Sequence, residues 1–388
     1  MKIWTNTIPY TFNELASSVF TEDLLFFDIE TTGFSPSYTS LYLIGCAYRK
    51  NDLITITQFF ADTESEEANV LSEFLQLLSS FSKIATFNGC GFDLPYLDFK
   101  CKKYQFFSPF SQKESIDFYK IATSMRHFFQ LPDYKQKTLE SFLNIRRNDC
   151  YTGGELIAVY KKYTSSPDGS ELNLLKQHNY EDILGLIQLL PLLNYKSLFS
   201  GNFTVSDLET NLYKDINGDY QKELIFTLFH PAPLPARVSC RLKEFYFTGT
   251  GSYSRLSVRL YDGELKFFLE HPKEYYYLPE EDRAIHKSVA TYVDKAYRKK
   301  ASKTNCYIRK NSIFVPQYEN LFSPVFKENY KDRHSYFELT ETFLSSDEQI
   351  FRYVLHILQQ MVMLKKNLAC EILRLRRVAI CDMFLIRR

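Results

Sequence analysis

The run Leu24-Leu25-Phe26-Phe27-Asp28-Ile29-Glu30-Thr31-Thr32-Gly33 decides the reading of the first half of the chain. Four consecutive large apolar residues ending at a carboxylate predict a buried central strand. Side chains alternate along a strand, so Asp28 and Glu30 point to one side and Ile29 to the other. Two carboxylates a few Å apart repel and lose hydration, which is costly unless a cation neutralises them. The Thr-Thr-Gly that follows, with Ser35-Pro36-Ser37, ends the strand.

The flanking sequence supplies the rest of a sheet. Leu41–Tyr48 and Leu53–Phe60 read as strands joined at Lys50-Asn51-Asp52, so three strands form an antiparallel meander. Ser65 precedes an amphipathic helical pattern through Val70, Leu71, Phe74, Leu75 and Leu78. Ile84–Phe87 reads as a strand, Asn88-Gly89-Cys90-Gly91 as a turn, and Phe92-Asp93 as a helix start. Ser115–Phe118 is a further strand candidate, and helical patterns then dominate to about Asn194, ending in a helix over Leu172–Leu190. The fold class expected is α/β: a mixed sheet, antiparallel meander plus parallel strands, flanked by helices and followed by a second α+β domain.

Two further carboxylates belong with the pair on the strand. Asp93 opens a helix after a Gly turn, where the macrodipole alone would favour an acid. Asp182 lies four residues after His178 in Gln177-His178-Asn179-Tyr180-Glu181-Asp182, so the two share a helix face that continues into Leu186, Leu189 and Leu190. Each taken alone reads equally as an ordinary surface acid. Together, a strand DxE, a helix-start Asp and a late-helix Asp let distant segments converge on divalent cations. Oxygen-only ligands suit two Mg²⁺ or Mn²⁺ ions rather than zinc, and such a pair supports phosphodiester hydrolysis.

On these residues the sequence resembles the DEDD exonuclease superfamily with its ribonuclease-H-like fold, and within it the YprB-like bacterial proteins. The motifs are FFDIETTG at Phe26–Gly33, FNGCGFDLPYL at Phe87–Leu97 and HNYEDILGL at His178–Leu186; Leu139–Glu155 (LESFLNIRRNDCYTGGE) is similar to the region before the third motif. The resemblance covers residues 20–195. It implies that Asp28, Glu30, Asp93 and Asp182 ligate the metals, with Asp28 bridging both. It further implies that Glu30 and Thr31 contact the terminal nucleotide, that Asn88 orients the site, and that the activity is 3′-to-5′ exonucleolytic on single-stranded DNA or RNA. The family's water-positioning residue is a Tyr four before the last Asp or a His five before it. His178 has the Tyr spacing with the His chemistry, and a pKa near 6.5 suits general-base work. Tyr180 faces elsewhere on the helix.

Composition agrees with a globular protein: 45% of residues are hydrophobic and 24% charged, over 388 residues. No apolar run approaches the roughly 18–20 residues that span a bilayer, and Met1–Leu15 lacks the pattern of a signal peptide. Eight cysteines occur without a CxxC pair, so neither a zinc knuckle nor a disulfide framework is expected. A cytoplasmic location, with no membrane partner, is the expectation.

The net charge of +1 hides an asymmetry: residues 1–230 carry −8 and residues 231–388 carry +9. The acidic half suits divalent cations and the basic half a polyanion such as nucleic acid. A boundary is expected in polar Lys196–Asp219, near residue 200, dividing a nuclease domain (1–200) from a basic α+β accessory domain (201–388). In the latter, Pro231–Pro235 reads as a turn. Val238–Phe247, Ser254–Tyr261 and Leu265–Glu270 read as strands broken at Gly249/Gly251 and Asp262-Gly263. Glu280–Lys300 reads as a helix, and Cys306–Arg309 with Ile313–Val315 as a hairpin. Lys295, Arg298, Lys299 and Lys300, interleaved with Tyr292 and Tyr297, are candidate phosphate and base contacts; Arg374, Arg376 and Arg377 are candidates to extend them. His286 reads as a residue that caps or packs on its helix. Two other functions fit the same pattern: a binding module that has lost efficient chemistry, and a structure-specific endonuclease.

Overall fold

The computed structural model describes residues 1–363 other than 12, 13, 150 and 216; Arg374, Arg376 and Arg377 lie outside the described residues. The chain forms two compact units. The first comprises Met1–Arg126, Gln130–Ser197 and Leu234–Ala236. The second comprises His127–Phe129, Leu198–Pro233 and the chain from Arg237 onward.

The first unit is built on a six-stranded mixed sheet. Its strands are β1 (Lys2–Pro9), β2 (Leu24–Thr31), β3 (Leu41–Lys50), β4 (Leu53–Phe60), β5 (Lys83–Thr86) and β6 (Glu114–Asp117), in the order β1-β4-β3-β2-β5-β6. The β2-β3-β4 meander is antiparallel, and β5 and β6 run parallel to β2. This is the mixed sheet expected from the sequence. The one strand not anticipated is β1, paired antiparallel to β4. Its signal is weak because it is an edge strand on which only Trp4 and Ile8 among the large apolar residues are half-buried.

Helices α1 (Glu67–Leu78), α2 (Asp93–Lys103), α3 (Phe118–Ser124), α4 (Gln136–Phe142), α5 (Gly153–Ser165) and α6 (Gly169–Gln188) flank this sheet. Leu25, Phe27 and Ile29 of β2 bury themselves with Val70, Leu71 and Phe74 of α1 and Tyr96 and Leu97 of α2. Strand alternation therefore turns Phe26, Asp28 and Glu30 to the opposite face. There Phe26 packs on Phe118 of α3, ring centroids 6.2 Å apart.

Helix α6 lies across β2, β3 and β4 on that face. Asp28, Gly45, Gln58 and Trp4 are successive cross-strand neighbours, forming one row under the helix. Gly45 is the reason the helix can approach so closely. A Cβ there would overlap Asn179 Oδ1 and lie 2.8 Å from Ile183 Cγ1. Its φ is not in the left-handed region, so the requirement is for space and not for conformation. Gly45→Val should lower stability by about 2–3 kcal/mol through overpacking. The urea midpoint reads this directly, and a midpoint unchanged from wild type would remove Gly45 from the account of helix docking.

The second unit is rich in strands. A three-stranded sheet holds β7 (Thr204–Lys214), β8 (Tyr220–Leu242) and β9 (Phe245–Arg259). A closed barrel holds β10 (Tyr261–Phe268), β14 (Tyr307–Gln317), β16 (Ser335–Glu338) and β15 (Phe326–Lys327). A small sheet holds β12 (Arg283–His286), β11 (Tyr275–Leu278) and β13 (Lys299–Lys300). A helix over residues 347–363 follows.

Several local expectations for this unit are overturned. Pro231–Pro235 is not a turn but part of the 23-residue β8. Gly249 and Gly251 lie inside β9, which reverses from β8 at Lys243-Glu244 instead. Asp262-Gly263 breaks no strand: both residues lie inside β10, which joins a different sheet and pairs with β14. Residues 307–317 form one strand, not a hairpin. Glu280–Lys300 is not a helix. Asp282, at φ 48°, sits in the β11–β12 turn and accepts hydrogen bonds from Tyr277, at 2.5 Å, and Tyr307. An acid that looks like a helix start serves here as a turn acceptor for two tyrosine hydroxyls.

Candidate active site

The acids arrive from three elements of the first unit. Asp28 and Glu30 come from β2, and Glu30 is only 8% exposed. Asp93 is the first residue of α2 and 4% exposed. Its position follows from the turn before it. Asn88 adopts φ 61°, its backbone N–H donates to Asp117 Oδ1 at 3.0 Å, and the Cys90 N–H donates to Asp117 Oδ2 at 3.3 Å. Asp117 also caps α3 through the N–H groups of Tyr119 and Lys120. A Cβ at Gly89 would overlap Thr86 Oγ1, so the turn closes only on glycine. Beyond the end of β5 the Ile29 N–H donates to the Asp93 carboxylate.

Helix α6 brings His178, Asn179 and Asp182. Asn179 Nδ2 donates to Asp28 Oδ2 at 3.3 Å, and its Oδ1 accepts from Gln58 Nε2 at 3.0 Å. Gln58 also donates to the Lys176 carbonyl at 2.9 Å, which ties α6 to the middle of the sheet. His178 Nε2 lies 3.0 Å from Asp182 Oδ2 and 3.5 Å from Glu30 Oε1. Ligand atoms of Glu30, His178 and Asp182 all fall within 4.8 Å of one another.

The electrostatics is that of crowded acids. Burial, reinforced by Glu30, Asp93 and Asp182, holds the Asp28 carboxyl well above the usual carboxylate range. Burial and Asp182 do the same to Glu30. Burial pushes Asp93 up to about 7, against the backbone hydrogen bonds that favour its anion. Asp182 goes the other way: burial would raise it, but His178 and Arg147 outweigh burial and hold it down. His178 mirrors this, raised by Asp182 and Asp149 over the opposing effect of burial.

Arg147 and Asp149 complete the cluster, and neither was singled out from the sequence. His178 Nδ1 lies 2.7 Å from Asp149 Oδ2. Arg147 donates from Nη2 to Asp182 and from Nη1 to both oxygens of Glu140 at 3.1 Å. Glu181 accepts the backbone N–H groups of Asn148 and Asp149, at 3.0 and 2.9 Å, and so fixes their loop. Glu140 itself fits because Gly185 of α6 has no side chain; a Cβ there would overlap Glu140 Oε1. The only sequence signal for this group is the segment Leu139–Glu155, which carries no periodic pattern at residues 146–152.

The remaining candidates lie elsewhere. Thr31, half-buried at the end of β2, donates to the Gly33 carbonyl at 2.8 Å. Asn88 is exposed and contributes through its backbone. Lys295, Arg298, Lys299 and Lys300 belong to the second unit. Lys295, Lys299 and Lys300 are exposed, whereas Arg298 donates to the Ala290 carbonyl and lies 4.9 Å over the Tyr276 ring. His286 accepts from the Ser288 N–H at 3.3 Å. No helix among the described residues is long and apolar enough to cross a membrane.

Comparison with known proteins places this geometry in context. Residues 25–194 match the RNase_H_2 model of the RNase H superfamily. Among solved structures, the family B DNA polymerase of the archaeon Pyrobaculum calidifontis is similar at 15% identity and a TM-score of 0.37, over 46% of this chain and 25% of the polymerase. Exonuclease I of E. coli, in its zinc-bound complex with single-stranded DNA, is similar at 14% identity and a TM-score of 0.28, over 54% of this chain. Its complex with a dA16 oligonucleotide gives 13% and 0.29. This chain spans 55% of the exonuclease I chain in both complexes. No curated protein matches by sequence.

Proposed function

We propose that the protein is a divalent-cation-dependent nuclease that removes nucleotides from the 3′ end of single-stranded DNA or RNA, with Asp28, Glu30, Asp93 and Asp182 holding Mg²⁺ or Mn²⁺. The observation that carries the reading is the convergence of these four acids from β2, α2 and α6 in an RNase H-like domain. Burial, reinforced by neighbouring carboxylates, holds three of them above the ordinary carboxylate range. An all-oxygen donor set of this density fits a hard divalent cation.

When bound, such cations polarise a phosphodiester and lower the pKa of coordinated water. The chain's own residues supply orientation and proton handling. Asp149 takes the Nδ1 side of His178 and leaves Nε2 facing Glu30 and Asp182. Were Asp182 to hold a cation, its support of the imidazolium would weaken, and Nε2 would serve as the proton acceptor. Thr31 and Asn88 are proposed to border the terminal nucleotide.

The test is Mn²⁺- and Mg²⁺-dependent degradation of end-labelled single-stranded DNA and RNA. A ladder of shortening products should form, vanish with a 3′ block, and vanish with Asp28→Asn. His178→Ala should retain the ladder at a rate lowered by roughly 10²-fold. Cleavage of a circular strand would point instead to an endonuclease. Metal binding without any cleavage would favour a binding module. The specific observation behind that second reading is that both oxygens of Asp182 are held by side chains, one by Arg147 and one by His178.

A further inference from the structure

The outer face of the β7-β8-β9 sheet is a charged cup. Its inner face is apolar, with Leu224, Phe226, Phe245, Phe247, Leu256 and Val258 buried. The sheet curls because β8 is long enough to pair with β7 through its first half and to form a hairpin with β9 through its last residues. The returning end of β9 then closes the curve: the Arg259 N–H donates to the Glu244 carbonyl at 2.9 Å, and the Leu260 N–H to the Lys222 carbonyl at 2.9 Å. The result is a concavity of about 480 Å³.

Four cations line it, from separate stretches of chain: Arg241, Lys243, Arg255 and Arg259. All four are exposed on this face. Two carboxylates share the lining. Glu223 is held by Asn211 Nδ2 at 2.8 Å, and Glu244 faces His334 Nε2 at 3.6 Å. Arg255 reaches Glu209 at the rim. Two tyrosines, Tyr213 and Tyr246, complete the surface, and the Arg241 guanidinium lies 5.2 Å over the Tyr246 ring.

We infer that this cup binds the phosphodiester backbone of a single nucleic-acid strand. Guanidinium forks match phosphate oxygens bidentately, and half-buried tyrosine faces offer stacking to any base. The cup lacks the apolar lining of a small-molecule pocket. It is separate from the Lys295–Lys300 segment, whose Arg298 is already committed to a carbonyl and a ring. The inference deepens the nuclease reading by giving the second unit a hold on the substrate strand.

The experiment is fluorescence anisotropy of labelled dT12 and U12 with the full chain in EDTA, where cleavage does not intervene. Arg241→Glu/Arg259→Glu should weaken binding at least about tenfold, and the slope of log K against log salt should flatten by about 0.7 per lost phosphate contact. Lys299→Glu/Lys300→Glu should leave both unchanged. Circular dichroism checks folding, and the milder Arg241→Gln replaces the double variant if it misfolds. Unchanged affinity and slope in the cup variant would overturn the inference. So would loss of binding in the Lys299/Lys300 variant alone, or equal cup-dependent binding of poly-glutamate, which would make the ligand an acidic peptide. Hydrolysis of a trinucleotide by the cup variant is read separately. Its presence with unaltered strand binding would sink the cup and spare the nuclease, and its absence from wild type would do the reverse.

Discussion

Asp93→Asn abolishes cleavage and, at the same time, makes the metal-free protein more stable at pH 7.5. Asp93 is 4% exposed, and burial pushes its carboxyl up to about 7. Its unfolded value is near 3.9. A buried acid of this kind keeps its proton longer when folded than when unfolded. Between those two values the folded state binds more protons, so stability falls as pH rises. The contribution is neutral below about pH 4 and fully unfavourable above about pH 7, where it amounts to about 2–4 kcal/mol. Asparagine removes the charge and keeps an oxygen for the Ile29 N–H. Melting in EDTA should therefore show the wild type losing stability from pH 5 to 8 and the variant losing less, by the share of Asp93, since buried Asp28 and Glu30 remain. Mn²⁺ at pH 7.5 should raise the wild-type midpoint and leave the variant nearly unmoved. A variant less stable than wild type at both pH values would mean that Asp93 is a structural cap and not an electrostatically strained ligand. Loss of activity in a more stable protein would separate function from folding at this position.

Arg147→Ala destabilises the first unit by about 3–5 kcal/mol, the cost of leaving a buried partner charge unpaired. The guanidinium is 9% exposed and its partner Glu140 only 1%. Without it, Glu140 keeps Gln136 as a neutral donor at 2.9 Å, and Asp149 and Asp182 lose their shared cation. The informative companion is Arg147→Met/Glu140→Met, which removes both charges while filling the space. It should recover much of the lost stability in urea titrations, because a buried ion pair and a well-packed apolar pair are close in energy. It should not recover cleavage, because Asp182 and Asp149 then lose the guanidinium that they share and keep only His178 between them. Full recovery of both would reduce Arg147 to a packing element. A double variant as unstable as Arg147→Ala would show that the remaining acids, and not Glu140, set the cost.

The acids were legible in the sequence for reasons that are local. Asp28 and Glu30 follow a four-residue apolar run, and strand alternation alone puts them on one side. Asp93 follows a glycine turn, and His178 and Asp182 are one helical turn apart. Arg147 and Asp149 were not legible because they sit on an irregular loop whose position is set by Glu181, 32 residues away from Asp149 in sequence. Gly45 was invisible for a similar reason: nothing along β3 reveals that a helix more than a hundred residues later will press on it. In the second unit the failures share one cause. Gly, Pro and Asp-Gly predict breaks and turns, but long curled strands carry them internally, and the reversals fall at Lys243-Glu244 and at Asp282 instead. The helix expected over Glu280–Lys300 failed because Asp282 serves two tyrosine hydroxyls from neighbouring strands, a tertiary use that a helical pattern imitates.

The seating of α6 has a consequence for biosynthesis. Asp28 and the Asn179 that holds it are 151 residues apart, and His178, Asn179 and Asp182 all ride on that one helix. The sheet's centre is a meander of neighbouring hairpins, which can form as it leaves the ribosome. The helix that completes the acids is made late within the unit, and contacts of such long sequence separation close slowly. Until it docks, β2 presents two repelling carboxylates without His178, Asp182 or the Asp149 loop. On the proposed reading, the nascent chain is thus, until that helix docks, a nuclease without an active site, surrounded by RNA it cannot yet cut.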